Sequence, residues 1–548
     1  NNYNYLVKLI KNYHISFVFF IVSLFYMKEV TYLFFDSTQS ADFGKYFSYF
    51  EYFASVVPET GREQGTFYYY LHSLHLYSYS EYFTVNHFFY FLNKSVQLVN
   101  FYFYCFGLIG FYLLLKELKM NKSAILWTFV CVNFFPILIA MRITFKPEIL
   151  IFSLLPWVLF CIEKYKVQNK ILYLFMAIPF LALLLSTKGS ALGMVGLYLL
   201  ITYYKILFTV NFKKLVLILL LSTTVLGSLI IQDSAINKSS ILEVVHEEKY
   251  NNIASPNIIY NFDFVEIVKS PIKNNHADSF ISLTLLDTFG DYFDIYWNND
   301  SSLMFRDRNE IVTLNISNQL QPPKINVSDL NILITAQKNT DLYTRTSLGL
   351  ICSVIFYFML TRSVIIKNKF SRFLFAPAVG MMLLLVQSVI GYPVKNWDPL
   401  VGDSIKPFYY GFFLSLSFIF LVIHYINKNR YVVFLIPIFI LSTLFIIGFP
   451  KNISQSFETQ LYEVNTYSSQ CSINNYLFDD LKYFNTDFCE NNLNIGLRPE
   501  YLEYKEFQIA PNYLFINNIF FLYIIFCSLY LIYRESEFDS SFFEKSLP

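Results

Sequence analysis

Charge is scarce in this chain of 548 residues: Asp, Glu, Lys and Arg together supply only 15% of it and nearly cancel, leaving a formal net charge of +1. That scarcity argues against a large soluble domain. The near-balance excludes the basic surplus of a nucleic-acid-binding protein. An internal repeat, a glycine-rich phosphate loop and a zinc-ligand spacing are also missing. Cysteine is sparse. Cys105, Cys131, Cys161, Cys352 and Cys527 lie in or beside apolar runs and read as small apolar fillers. Cys471 and Cys489 share one outward segment, where they form either a disulfide or two free thiols; spacing does not choose.

What the chain has in abundance is apolar surface, with 55% hydrophobic and 20% aromatic residues. It is arranged in about twelve runs of membrane-spanning length. They lie near 15–35, 98–115, 124–140, 149–162, 171–186, 190–204, 215–231, 347–361, 373–391, 407–426, 431–449 and 513–533. The first is long and aromatic and has no small-residue cleavage site, so it is expected to be a span and not a signal peptide. Every second connection clusters cations: Lys8 and Lys11; Lys116, Lys119 and Lys122; Lys164, Lys166 and Lys170; Lys205, Lys213 and Lys214; Arg362, Lys367, Lys369 and Arg372; Lys428 and Arg430. By the positive-inside rule these loops and both termini are expected to be cytoplasmic.

The expected fold is an all-α polytopic membrane protein. It has about twelve transmembrane helices, interfacial helices in the first outer loop and a small extramembrane cap. An N-terminal transmembrane module covers 1–231 and carries the first outer loop, 36–97. The outward cap covers 232–346, further transmembrane helices 347–449, a second outward loop 450–512, and the last helix with its cytoplasmic tail 513–548. Within the first outer loop, Phe43, Tyr46, Phe47 and Phe50 follow helical spacing, with Lys45, Ser48 and Glu51 between them. That is the pattern of an amphipathic helix lying in the membrane interface, and Phe67 to Tyr79 reads similarly.

Four polar groups fall at outward ends of spans and so face one compartment. Asp36 and Asp42 follow the first span. Asp42 reads either as a helix cap or as a carboxylate that takes a proton from an acceptor hydroxyl. Arg142, Lys146 and Glu148 crowd the turn between the third and fourth spans, against the inside bias for cations. Lys188 sits at the membrane boundary between the fifth and sixth spans, and Lys406 enters the tenth from outside. Each cation reads either as an interfacial anchor or as part of an anionic pocket that compensates a phosphate leaving group. His72 and His75 are closer to a packed or solvated pair than to a metal site. Asp287, Asp291 and Asp294 form an acidic-aromatic cluster that either binds sugar or folds the cap.

These residues resemble the GT-C superfamily of membrane glycosyltransferases, in particular the branch of protein O-mannosyltransferases and lipid A aminoarabinose transferases. Asp42-Phe43-Gly44-Lys45-Tyr46 is similar to the acidic opening of that branch's first outer loop. The stretch Glu63-Gln64-Gly65-Thr66-Phe67-Tyr68-Tyr69-Tyr70-Leu71 is similar to its Tyr-rich segment. Lys146-Pro147-Glu148 and Thr187-Lys188-Gly189 are similar to its two later turns. The likeness centres on 30–205. The family's acidic pair is spread to Asp36 and Asp42, and its Lys-Pro-Pro element is absent.

The resemblance implies a polyprenyl-phosphate sugar donor drawn from the bilayer and a lipid, glycan or protein acceptor. It implies Asp42 or Asp36 as base, and Arg142, Lys146 and Lys188, joined by Lys406, around the donor phosphate. Tyr46, Glu63, Tyr69, Tyr70, Glu148 and Asp291 would contact substrate. No cofactor is required by this reading, and a divalent metal is left open. Besides the donor and acceptor, the expected partners are membrane lipids. The implied location is a multi-pass membrane protein with its site facing the periplasm of a bacterial inner membrane, or the equivalent. Two other classes stand beside this one: a transporter or lipid flippase, and a glycan polymerase or ligase.

Overall fold

The computed structural model describes residues 16–28, 64–78, 88–237, 261–271, 279–289, 346–363, 371–389, 410–422 and 514–544, with isolated positions 46, 49, 50, 52, 53, 60, 276, 424, 439–441 and 443. Every regular element among them is helical, with no strand. The helices are α1 (Ser16–Lys28), α2 (Thr66–Tyr77), α3 (Phe88–Glu117), α4 (Lys122–Asn133), α5 (Pro136–Ile143), α6 (Glu148–Gln168), α7 (Leu172–Thr187) and α8 (Gly189–Thr209). They continue with α9 (Phe212–Asn237), α10 (Phe264–Lys269), α11 (Phe280–Thr288), α12 (Thr346–Ser363), α13 (Phe375–Val389), α14 (Gly411–Leu421) and α15 (Leu514–Glu544).

Local chemistry explains several boundaries. Asn121 caps α4 by accepting the Ala124 amide at 2.7 Å. Pro136 occupies the first turn of α5, where its missing amide hydrogen costs nothing. The left-handed Asn169 (φ 53°) ends α6.

Helix α6 is the axis of the fold and is buried from Glu148 to Tyr165. Its closest partner is α3, and glycine makes that approach possible. A Cβ on Gly110 would lie 2.6 Å from the Trp157 ring, while the Trp157 indole donates to the Phe106 carbonyl at 3.0 Å. Small residues at helix interfaces matter most in a membrane, where dispersion contact replaces the hydrophobic effect between helices.

Among the described residues four helices are long and apolar enough to cross a membrane: Ser95–Glu117, Phe212–Asn237, Thr346–Ser363 and Ile516–Glu535. The apolar run expected as one span over 124–140 is instead α4 and α5, bent by 66° at a short break, and the pair would make a fifth. Phe134 and Phe135 keep hydropathy continuous through the bend, while Pro136 prevents α4 from continuing. The described residues also include four shorter apolar helices, Ser16–Lys28, Leu172–Thr187, Ala191–Ile206 and Gly411–Leu421.

Both ends of α6 are polar. At its C-terminal end Lys164 pairs with Glu117 at 2.8 Å and with Glu535 at 2.5 Å, and Lys116 approaches Glu535 at 3.9 Å. There Glu163 holds Arg372 at 2.9 Å and Lys166 at 3.3 Å, and accepts the Tyr203 hydroxyl at 2.8 Å. Cations from three loops that share the same side in the sequence reading therefore meet at one end of the bundle. Glu148 marks the other end, about 22 Å away at the rise of an α-helix.

Several expectations fall on positions outside the described residues: Asp36, Asp42, Glu63, Asp291, Asp294, Lys406, Cys471, Cys489, the loop 450–512, and most of the cap and of the run 431–449.

Candidate functional site

The turn from α5 into α6 is Thr144-Phe145-Lys146-Pro147, with Lys146 donating its amide to the Thr144 carbonyl at 2.9 Å. Lys146 is buried, and Glu148 opens α6 with 1% exposure. A carboxylate there is favoured by the positive end of the helix. Lys188 is the extended residue joining α7 to α8. Its ammonium reaches Glu148 Oε1 at 2.7 Å, uniting the two turns. Glu148 Oε2 stays buried with no hydrogen-bond partner among the described residues.

The Tyr-rich segment forms α2 and docks on these turns. The Gly65 amide donates to the Thr187 carbonyl at 3.1 Å. Tyr69 stacks on Tyr49 at 3.8 Å and lies 5.4 Å from the Phe145 ring. Tyr46 lies 5.5 Å from Tyr69 and 6.2 Å from Phe145, and Phe50 stacks on Phe145 at 4.9 Å. The aromatic face expected to lie in the membrane interface is thus covered by protein at Tyr46 and Phe50. Its phenols explain why. Tyr69 donates to Gln64 Oε1 at 2.7 Å, Gln64 Nε2 donates to the Tyr46 hydroxyl at 3.3 Å, and Tyr70 donates to Asn518 Oδ1 at 2.6 Å. Burial, reinforced by the Glu148 charge, holds the Tyr68 phenol well above its ordinary value. Burial does the same for Tyr69, helped by the neighbouring phenols. Both serve as hydrogen-bond donors and not as bases.

His72 is buried against Tyr68 and Phe103, with its ring nitrogens 2.8 Å from the Tyr68 carbonyl and 3.1 Å from Asn100 Oδ1. Loss of solvent pushes its pKa down to about 3, so the ring is neutral. His75 contacts Ser95 at 2.9 Å. Among the described residues no three His, Cys, Asp or Glu side chains cluster as metal ligands. Asp287 is buried in α11, without its sequence neighbours Asp291 and Asp294 for comparison.

Arg142 takes a different direction. It ends α5 with 2% exposure, its guanidinium carbon 4.7 Å from the centre of the Tyr104 ring. Neither terminal guanidinium nitrogen finds a hydrogen-bond partner among the described residues, and the buried Tyr26 hydroxyl also lacks one. Tyr26 stacks on Phe134 at 5.1 Å, inside the break between α4 and α5. Tyr104 donates to Asn133 Oδ1 at 2.7 Å and Asn133 to Ser23 Oγ at 2.9 Å, so the break is lined with polar groups. The structure therefore joins Tyr46, Tyr69, Lys146, Glu148 and Lys188 at one end of α6, while Arg142 faces the helix break nearby.

Four residues at this end went unnoticed in the sequence: Gln232, Asp233 and Asn237 at the end of α9, and Asn517 at the start of α15. All are buried. Asp233 Oδ1 accepts from Thr66 Oγ1 at 2.6 Å and from its amide at 3.0 Å, and Gln232 Nε2 donates to Asn517 Oδ1 at 2.9 Å. The signal that flags Lys188, an ionisable group at the edge of an apolar run, applies equally to Asp233. Searches for relatives find no matching protein-family model, no matching curated protein and no matching solved structure.

Proposed function

We propose that this chain is a multi-pass membrane glycosyltransferase of GT-C type, with about twelve spans. It moves a sugar from a polyprenyl-phosphate donor to a lipid, glycan or protein acceptor on the outer side of the membrane. The observation that carries this reading is Arg142: a buried guanidinium with both terminal nitrogens unpartnered among the described residues. An unpaired charge away from water is costly, and an oxyanion bound at the helix break offsets that cost. A phosphate matches the fork of a guanidinium and can arrive on a lipid.

In this mechanism the acceptor oxygen attacks the anomeric carbon from the face opposite the phosphate. The new carbon–oxygen bond forms as the bond from the anomeric carbon to the phosphate oxygen breaks, and its electron pair stays on that oxygen. The acceptor's proton passes to Asp42, or to Asp36. Arg142, Lys146, Lys188 and Lys406 offset charge on the departing phosphate. Tyr46, which follows Asp42 closely in sequence, packs on Phe145 beside Lys146, which supports a shared cavity for base and cations. Glu63 and Asp291 are further candidates for contact with the sugar or acceptor.

The test is transfer from a panel of polyprenyl-phosphate sugars by the purified chain. Loss of the base should slow transfer by about 10²–10⁴ in Asp42→Asn or Asp36→Asn. Full activity in both variants removes this mechanism. The bent α4–α5 pair with a buried cation at its break also suits a lipid flippase. Translocation of a labelled polyprenyl phosphate without sugar transfer would select that reading.

A further inference from the structure

A helix leaves its first amides without partners, and a Ser, Thr, Asp or Asn at the N-cap normally satisfies one of them. Helix α2 has Gly65 in that position, with no side-chain cap bond. Nothing larger fits. A Cβ on Gly65 would lie 2.5 Å from the Ser186 carbonyl oxygen and 3.0 Å from Thr187 Cα, both backbone atoms of the turn on which α2 docks. The close approach that carries the Tyr wall to Lys188 therefore removes the residue that would have capped the helix.

Asp233 fills the vacancy from 167 positions away. Its Oδ1 accepts the Thr66 amide, one of the unpaired first-turn amides, at 3.0 Å, which is a cap bond made in trans, and the Thr66 hydroxyl at 2.6 Å adds a second anchor. The carboxylate is 6% exposed and forms no ion pair among the described residues, so the positive end of α2 is the compensation it has there. Neighbours extend the grip to both sides of Gly65. Gln232 Nε2 donates to Thr66 Oγ1 at 3.2 Å, Thr60 Oγ1 donates to Asn237 Oδ1 at 2.6 Å, and Asn237 Nδ2 donates to the Gln64 carbonyl at 2.8 Å.

We propose that Asp233 is a positioning residue, which caps α2 across the bundle and holds Tyr68 and Tyr69 against the turns bearing Lys146, Glu148 and Lys188. Only the use of that wall in sugar transfer rests on the glycosyltransferase reading; the cap itself does not. Hydrogen exchange on the full chain in lipid nanodiscs tests it. In Asp233→Leu the amides of 66–70 should exchange about tenfold faster while those of 150–165 keep their protection. Thr66→Val, which keeps its amide but loses its hydroxyl, should show a smaller change in the same amides, and Asp233→Asn, which keeps an acceptor oxygen, should retain most of the protection. Unchanged exchange at 66–70 in Asp233→Leu overturns the proposal, as does equal loss at 66–70 and 150–165. In the transfer assay Asp233→Leu should lower kcat by about tenfold and leave donor affinity within about twofold. A wild type that transfers no sugar refutes the proposed function and leaves the exchange result to decide the cap.

Discussion

On the proposed function, Arg142→Met should make the ligand-free protein more stable, by about 1–4 kcal/mol, and should remove most of the affinity for a polyprenyl phosphate. Both signs come from one fact: the guanidinium is buried and its terminal nitrogens have no acceptor among the described residues. Even a paired buried charge is often replaced by an apolar side chain of similar volume with a gain in stability, and among the described residues the Tyr104 ring, 4.7 Å away, is what faces the guanidinium. Methionine fills the same volume and adapts to the gap beneath that ring. Binding moves the other way, because truncating one partner of a desolvated charged contact costs about 2–5 kcal/mol, roughly 30-fold to several thousand-fold in Kd. Thermal unfolding in nanodiscs and displacement of a labelled polyprenyl phosphate check the two halves. A destabilised variant that binds as well as the wild type contradicts the assignment.

Lys188→Ala destabilises the protein by about 3 kcal/mol, the lower end of the range for breaking a buried ion pair. The lower end applies because the Lys188 side chain is 18% exposed whereas that of Glu148 is 1% exposed. Removing the ammonium leaves a buried carboxylate with Oε1 stripped of its 2.7 Å contact and Oε2 already without a hydrogen-bond partner among the described residues. Pairing the change with Glu148→Gln neutralises the stranded charge and should restore about 2 kcal/mol, read as the coupling term of a double-mutant cycle. The same pair of variants separates two roles for Lys188. If it serves only to neutralise Glu148, donor affinity returns along with stability; if it also holds phosphate, affinity stays low in the stabilised double variant. Wild-type stability in Lys188→Ala contradicts the ion pair's structural weight.

That cations of three of the basic loops would share one end of the bundle was legible in the sequence, because the bias for Lys and Arg is local to helix ends. Lys116, Lys164, Lys166 and Arg372 meet there as that bias implies. Their acidic partners were not legible, since Glu117, Glu163 and Glu535 lie on three helices far apart in sequence. Lys188 stood out as an ionisable residue at a span boundary, yet its partner is 40 positions earlier, a relation no periodicity reports. Arg142 was read as a turn residue, whereas it closes α5 from inside the bundle. The bend of 66° that turns it inward is silent in hydropathy, because the residues at the break are two phenylalanines. Asp233 fell at the very start of the expected outward cap, 232–346, where nothing marked it out, whereas the structure carries α9 through it to Asn237. Its importance depends on what Gly65 cannot carry, a steric fact that appears only once α2 and the Ser186 carbonyl are in contact.

The account stands on one spatial claim, that the acid opening the first outer loop and the cations around α5–α6 and α7–α8 serve the same phosphate. A structure of the full chain bound to a non-hydrolysable polyprenyl-phosphate sugar tests it directly. The account predicts phosphate oxygens within hydrogen-bond distance of the Arg142 guanidinium, with the Asp42 or Asp36 carboxylate facing the anomeric carbon from the side away from the phosphate. A phosphate bound elsewhere, with both carboxylates at the end of the bundle that holds Glu163 and Lys164, contradicts it.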